Sequence, residues 1–174
     1  MSNDAVFEAN WLEEQLNEIF GAPEVTNLNR LSGGANRETW SFEANTQEKQ
    51  RSLIMQIDRS GMDRLHGTCE RESRILRIAK LNGVPVPTVV ASGFSEGLGS
   101  RSFSITEKMQ GETIARKILR DSQWEHARGN LIHDMAKALA AIHKIDKSHF
   151  EGIELSDIRD PLSSLNSIYA VSYT

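Results

Sequence analysis

The chain of 174 residues is 39% hydrophobic and 25% charged, values that are typical of a globular protein and exclude a disordered or fibrous one. Its formal net charge of −4 argues against nucleic acid or an anionic membrane surface as a partner. The single cysteine excludes an internal disulfide, and no signal-peptide pattern or long apolar run occurs. We therefore expect a cytoplasmic protein.

The first third of the chain predicts one helix followed by three strands. Apolar residues at helical spacing as far as Phe20 predict the helix, and Gly21 and Pro23 end it. Three strand-like runs follow, separated by a turn at 32–36 and a polar turn at 45–50; they cover residues 25–31, 39–44 and 53–57. Strands joined by such short turns predict an antiparallel meander.

The rest of the chain is mostly helical. We predict a helix over 62–81, a hairpin of strands at 88–91 and 101–109, and a helix from Asp121 or Ser122 to Ile145. Residues 162–174 are weakly helical. Because strands come first and helices later, the fold class is α+β. We predict an N-terminal lobe over 1–109, and a linker with the start of a helical lobe over 110–174.

Three features are candidates for binding chemistry, although each has an ordinary structural explanation. Gly33 and Gly34 lie between two strands, where their amides could converge on a phosphate, but a glycine pair is more often only a turn. Glu72 could pair with a cation that holds nucleotide phosphates, or be a surface charge of its helix. The segment 105–111 could present its backbone to an adenine edge, or simply leave the sheet.

Histidine and cysteine do not point to chemistry of their own. His126 and His133 lie seven residues apart on one predicted helix without a third metal ligand, so we expect no metal site. Cys69 lies on the inner face of its helix, which favours a core role over that of a nucleophile. We assign no catalytic residue in this sequence.

The order of these features resembles the small lobe of the protein-kinase-like fold. At these positions the sequence resembles the aminoglycoside phosphotransferase and choline-kinase-like family. The resemblance covers roughly residues 25–146 and rests on five strings: 31–40 (LSGGANRETW), Arg71-Glu72 with Ile75-Leu76, 83–87 (GVPVP), 111–113 (GET) and 138–143 (ALAAIH). It implies a five-stranded antiparallel sheet with a packed helix, followed by the first helices of a truncated helical lobe.

The resemblance also implies roles in ATP binding. Gly33, Gly34, Ala35, Asn36 and Arg37 would cover the phosphates, and Glu72 would face the third strand. Ile54 would pack over the adenine, and Thr106 would guard the back of the pocket. The carbonyl of Glu107 and the amide of Met109 would bind the adenine edge.

Two departures from the family pattern matter. The third strand carries Gln56 where the family has a lysine or arginine, so a charge-assisted contact to phosphate is lost; Arg37 or Arg59 could substitute for it. The family's His-Gly-Asp loop, with an Asn five residues after the Asp and then a metal-binding Asp, is not present in these 174 residues. Magnesium, which accompanies ATP in the complete family member, therefore has no ligands here.

These observations predict the ATP-binding portion of a small-molecule kinase, which would transfer the γ-phosphate to a hydroxyl of an unidentified acceptor. The chain by itself is expected to be inactive. The alternatives are a naturally short, catalytically dead nucleotide-binding module and an interaction module that shares only the fold. The apolar stripe of the long helix, formed by Leu131, Met135, Leu139 and Ile142, offers a surface for self-association.

Overall fold

The structure is a computed structural model that describes residues 3–31, 37–59 and 68–153. As predicted, the fold is α+β. The helices are α1 (Asn3–Phe20), α2 (Cys69–Leu81), α3 (Ala115–Arg120) and α4 (Glu125–His143), and the strands are β1 (Glu24–Leu31), β2 (Arg37–Asn45), β3 (Gln50–Asp58), β4 (Val89–Ser95) and β5 (Arg101–Glu107). Within this part of the chain, no helix has the length and apolar character needed to cross a membrane.

The five strands form one antiparallel sheet in the order β1-β2-β3-β5-β4. The predicted meander is β1-β2-β3, and the predicted hairpin is β4-β5. The hairpin joins the meander through its second strand, since β5 pairs with β3. This arrangement brings the end of β5, and the linker that follows it, beside the centre of the sheet.

One face of the sheet is apolar and is covered by α1. Because side chains alternate between faces along a strand, Leu53, Met55 and Ile57 of β3 all point to this side. They form one buried cluster with residues of α1 and of the neighbouring strands, namely Trp11, Leu12, Leu16, Phe42, Phe103 and Ile105. The ring of Trp11 meets that of Phe103 edge to face, with the centroids 4.8 Å apart. The core of this region therefore lies between α1 and the sheet.

The opposite face, hereafter the polar face, carries mostly hydrophilic side chains. Its directly paired residues include Arg37 with Asp58 on β2 and β3. Two further rows cross β2, β3 and β5, namely Thr39 with Gln56 and Ser104, and Ser41 with Ile54 and Thr106. Helix α2 covers this face at its β4–β5 side, where the buried hydroxyls of Ser73 and Ser104 lie 2.8 Å apart. The part of the polar face beyond α2 is left available for a ligand.

Two predicted helices have boundaries that differ from the structure. Thr68 is extended (φ −84°, ψ 155°) and caps α2, so the helical pattern predicted from residue 62 does not continue through Thr68. Residues 62–67 lie outside the described residues, as does the weakly helical stretch at 162–174. The long helix α4 begins at Glu125 rather than near Asp121, because Ser122–Trp124 form a tighter 3-10 turn first, and it ends at His143.

Candidate functional site

A charge cluster lies at one end of the polar face, where β2 begins and β3 ends. Arg37 donates a hydrogen bond from Nε to Asp58 Oδ1 at 3.1 Å, and its Nη1 donates to the carboxylate of Glu72 on α2. The same Nη1 lies 3.5 Å from Gln56 Oε1. The guanidinium therefore joins three elements, β2, β3 and α2.

The members of this cluster differ in exposure. The side chains of Arg37 and Asp58 are 15% and 8% exposed, whereas that of Glu72 is 52% exposed. Burial alone would lower the pKa of Arg37, but the hydrogen bond to Glu72 and the charges of Glu72 and Asp58 outweigh it and raise the pKa above its usual value. The cluster thus holds a permanently charged guanidinium between a buried and an exposed carboxylate.

The position of Glu72 follows from how α2 begins. The first amides of a helix have no partner within the helix. Here Cys69 N donates to Asp58 Oδ2 (2.8 Å), Glu70 N to Ser102 Oγ (2.9 Å) and Arg71 N to Thr68 Oγ1 (3.1 Å), and Glu72 N then makes the first regular helix bond, to Thr68 O (3.0 Å). Two of these acceptors, Asp58 and Ser102, belong to the sheet. They fix the first turn of α2 against β3 and β5, and so hold Glu72 beside Arg37.

The middle of the polar face is less charged. Ile54 and Thr106 lie directly opposite each other on β3 and β5 and are both half-buried. Ser41 lies on the other side of Ile54, and its Oγ accepts a hydrogen bond from Lys108 Nζ at 3.2 Å. A flat ring placed here would meet one aliphatic side chain with polar groups at its border.

The linker after β5 bounds the polar face at its other end. The Glu107 amide donates to the Thr88 carbonyl (3.0 Å) and the Lys108 amide to the Ser52 carbonyl (2.9 Å). Met109 is 64% exposed, and its amide has no hydrogen-bond partner among the described residues. Because backbone donors require partners when they are buried, this amide is available to a ligand that covers the linker.

The predicted site residues therefore fall into three groups along one surface. Arg37, Gln56 and Glu72 lie together at the charged end, Ile54 and Thr106 lie in the middle, and Glu107 and Met109 lie at the linker. Gly33, Gly34, Ala35 and Asn36 lie outside the described residues.

Sequence reasoning missed two residues of this surface. Asp58 anchors both Arg37 and the start of α2, and Lys108 reaches across the sheet to Ser41. The period-two alternation that puts Ile54 and Gln56 on one face also puts Asp58 there, so a signal for Asp58 was present. The reach of Lys108 depends on its rotamer, which no sequence pattern encodes.

Two other features of the described residues do not belong to this surface. A cavity of about 400 Å³ is lined by residues around the end of α1, namely Glu13, Glu14, Asn17, Ala22 and Pro23. Within residues 3–31, 37–59 and 68–153, no three His, Cys, Asp or Glu side chains are grouped closely enough to hold a metal ion.

Comparison with known proteins identifies the family of this chain. The model of the phosphotransferase enzyme family matches residues 27–162. The chain belongs to that family. The match confirms the resemblance found in the sequence, and it includes every residue of the surface described above. No curated protein sequence matches significantly.

Two solved structures are similar to the chain, and the first of them shares its fold. A protein of Ralstonia eutropha, provisionally described as an aminoglycoside phosphotransferase, superposes with a TM-score of 0.62 at 20% identity, over 99% of this chain and 48% of its own. A spectinomycin phosphotransferase, solved with ADP and spectinomycin, gives a TM-score of 0.41 at 13% identity, over 94% of this chain and 53% of its own. The chain thus spans about half the length of these proteins.

Proposed function

We propose that this chain forms the nucleotide-binding part of an ATP-dependent small-molecule kinase. The observation that carries the proposal is the polar face, which has a partly buried cation at one end and an aliphatic centre. At the other end is a linker whose Met109 amide has no partner among the described residues. This order matches the parts of ATP, since phosphates need positive charge, an adenine ring needs an apolar surface, and its edge needs backbone hydrogen bonds. Membership of the phosphotransferase family supports the same assignment.

In this proposal the phosphates lie at the charged end, and residues 33–37 cover them. The adenine packs against Ile54 with Thr106 at the back of its pocket, and its edge meets the Glu107 carbonyl and the Met109 amide. Gln56 faces the phosphates as a neutral hydrogen-bonding group. Within the chain, the lobe over 1–109 carries the nucleotide, and the region over 110–174 begins the helical lobe.

The proposed reaction of the whole enzyme is transfer of the γ-phosphate to a hydroxyl. The acceptor oxygen forms a bond to the γ-phosphorus while the bond to the β–γ bridging oxygen breaks, ADP leaves, and the hydroxyl proton passes to a base. The family's His-Gly-Asp loop supplies that base, and this sequence contains no such string. We therefore propose that these 174 residues bind nucleotide but do not transfer phosphate without a further segment.

Calorimetric titration of the chain with ATP and with adenosine tests the proposal. We expect saturable binding of both, and stabilisation of the folded state by about 2.7 kcal/mol at a ligand concentration a hundred times the dissociation constant. Ile54→Gln removes apolar surface from the proposed adenine site, and it should weaken ATP and adenosine equally, by about tenfold. Ile114→Gln is the matched control, because Ile114 is 50% exposed and lies outside the polar face.

Two results would contradict the proposal. If the folded chain binds neither ATP nor adenosine, the surface is not a nucleotide site and the interaction-module alternative takes its place. If the purified chain releases ADP from ATP in the presence of hydroxyl-containing acceptors, the part of the proposal that denies it phosphotransfer is wrong. Binding without ADP release is the expected outcome.

A further inference from the structure

We infer that Arg37 supplies the phosphate-binding charge that Gln56 does not carry, so that the cation of this site comes from the first residue of β2 and not from β3. The inference rests on the proposed function, because it names the residue that would hold the nucleotide phosphates. Arg37 is the first residue of β2 and directly follows residues 33–36, which include the glycine pair.

The first support is that Glu72 pairs with Arg37. This carboxylate of α2 is engaged by the Arg37 guanidinium, and Gln56 approaches the same Nη1 only at 3.5 Å through its oxygen. Gln56 is a neutral residue in the row next to Arg37 and Asp58 on the same face. Glu72 therefore still pairs with a positive charge, but β2 carries that charge instead of β3.

The second support is the way in which the guanidinium is held. Asp58 accepts from Nε and is itself fixed by the amide and the thiol of Cys69, at 2.8 and 3.0 Å. This leaves Nη2 without a partner among the described residues. Since an arginine can bind a phosphate through two parallel N–H groups, Nη2 and Nη1 form a donor pair once Glu72 moves aside.

The third support is the difference in exposure between the two carboxylates. Asp58 is buried, so it holds the guanidinium in place, whereas Glu72 is about half exposed and can turn toward water without a large desolvation cost. A phosphate that replaces Glu72 on Nη1 then meets a cation that is already positioned. A purely structural Arg37 would only pin α2 to β3, and its loss would affect every ligand alike.

Calorimetry with ATP and adenosine on three variants separates these two roles. Arg37→Gln should lower the affinity for ATP by about tenfold to a hundredfold, because a charge-assisted contact is lost. The affinity for adenosine should stay within about twofold of its original value. Adding Gln56→Lys to this variant returns a cation to β3 and should restore most of the ATP affinity. Arg101→Gln is the matched control, since it breaks a 2.7 Å ion pair with Glu38 on the α1 side of the sheet, and it should change neither ligand.

If Arg37→Gln lowers the affinities for ATP and adenosine equally, or lowers neither, the inference is overturned while the proposed function stands. Failure of the unaltered chain to bind either ligand overturns the proposed function and the inference with it. If Arg37→Gln does not fold, the unaltered chain still provides a test by NMR. The Arg37 Nε–H resonance should shift on addition of ATP and not of adenosine, and the same response to both ligands overturns the inference.

Discussion

At the end of β3, the Cys69 thiol donates a hydrogen bond to Asp58 Oδ1 at 3.0 Å and is fully buried. Burial, followed by the hydrogen bond to Asp58, raises the pKa of Cys69 well above its ordinary value, although the charge of Arg37 acts in the opposite direction. The buried thiol is therefore a hydrogen-bond donor to Asp58, which agrees with the core role predicted for Cys69.

This residue predicts a specific dependence of stability on pH. Above the ordinary thiol pKa the unfolded chain loses the Cys69 proton while the folded chain keeps it, so stability is present below that value and falls as the pH rises. Relative to Cys69→Ser, the free energy of unfolding should fall by up to about 1.4 kcal/mol per pH unit in this alkaline range. Urea unfolding from about pH 7 to about pH 10 measures the difference.

The serine variant is a close control, because its hydroxyl can also donate to Asp58 but does not ionise in this range. Lysine and tyrosine titration affects both chains equally, so the difference isolates the thiol. Parallel pH curves for the two chains would mean that the folded state does not hold Cys69 protonated.

Among the elements, α2 decides whether the site forms, since it carries Glu72 and yet has few large apolar residues in the core. Of its residues, only Cys69, Ser73 and Ala79 are buried. Its attachment to the sheet depends instead on hydroxyl and carboxylate partners, including the buried pair of Ser73 and Ser104. A buried hydrogen-bonded pair stabilises modestly but is costly to break from one side.

A double-mutant cycle on Ser73→Ala and Ser104→Ala tests this attachment. Each single change should cost about 1–2 kcal/mol, because it leaves a buried hydroxyl without a partner, and the coupling should be about 1 kcal/mol. The exposed bond from Arg77 to Ser92 Oγ, at 3.0 Å, also joins α2 to the sheet and provides the control cycle. Its coupling should be under about 0.5 kcal/mol; equal coupling in both cycles would show that burial is not the deciding factor.

The elements themselves could be predicted because local patterns encode them. Alternation along residues 53–57 predicted β3, and Gly21 with Pro23 predicted the end of α1. The start of α2 could not be placed, because the helical spacing continues across Thr68 and the capping bond that stops it forms in three dimensions. The Arg37–Glu72 pair depends on the register of β2 and β3 and on the docking of α2, so the sequence could suggest Arg37 only as one of two substitutes for Gln56.

At the scale of the whole molecule, the two parts of the described chain differ in how well they bury apolar groups. The sheet and α1 enclose a continuous core, whereas α4 has no buried residue. Large apolar side chains of α4 remain exposed to nearly half or more of their area, namely Leu131, Ile132, Met135, Leu139 and Ile142. A contiguous apolar face of this kind favours association with another surface.

We therefore predict that the 174-residue chain self-associates through α4 in a concentration-dependent way. Light scattering after gel filtration should show an average mass that rises with protein concentration. The double variant Met135→Gln with Leu139→Gln should reduce this rise, since it removes apolar area from the centre of the exposed stripe. The double variant His133→Gln with Lys137→Gln, on the same helix with the same spacing, should leave it unchanged because it removes no apolar area.

The comparison of these two variants also separates self-association from nucleotide binding. The stripe lies on α4 and the polar face lies on the sheet, so the variant that abolishes association should retain the affinity for ATP measured in the unaltered chain. A constant monomeric mass at all concentrations would show that the exposed stripe of α4 is not a self-association surface. If the variant that abolishes association also loses its affinity for ATP, the nucleotide site is complete only when this face is covered.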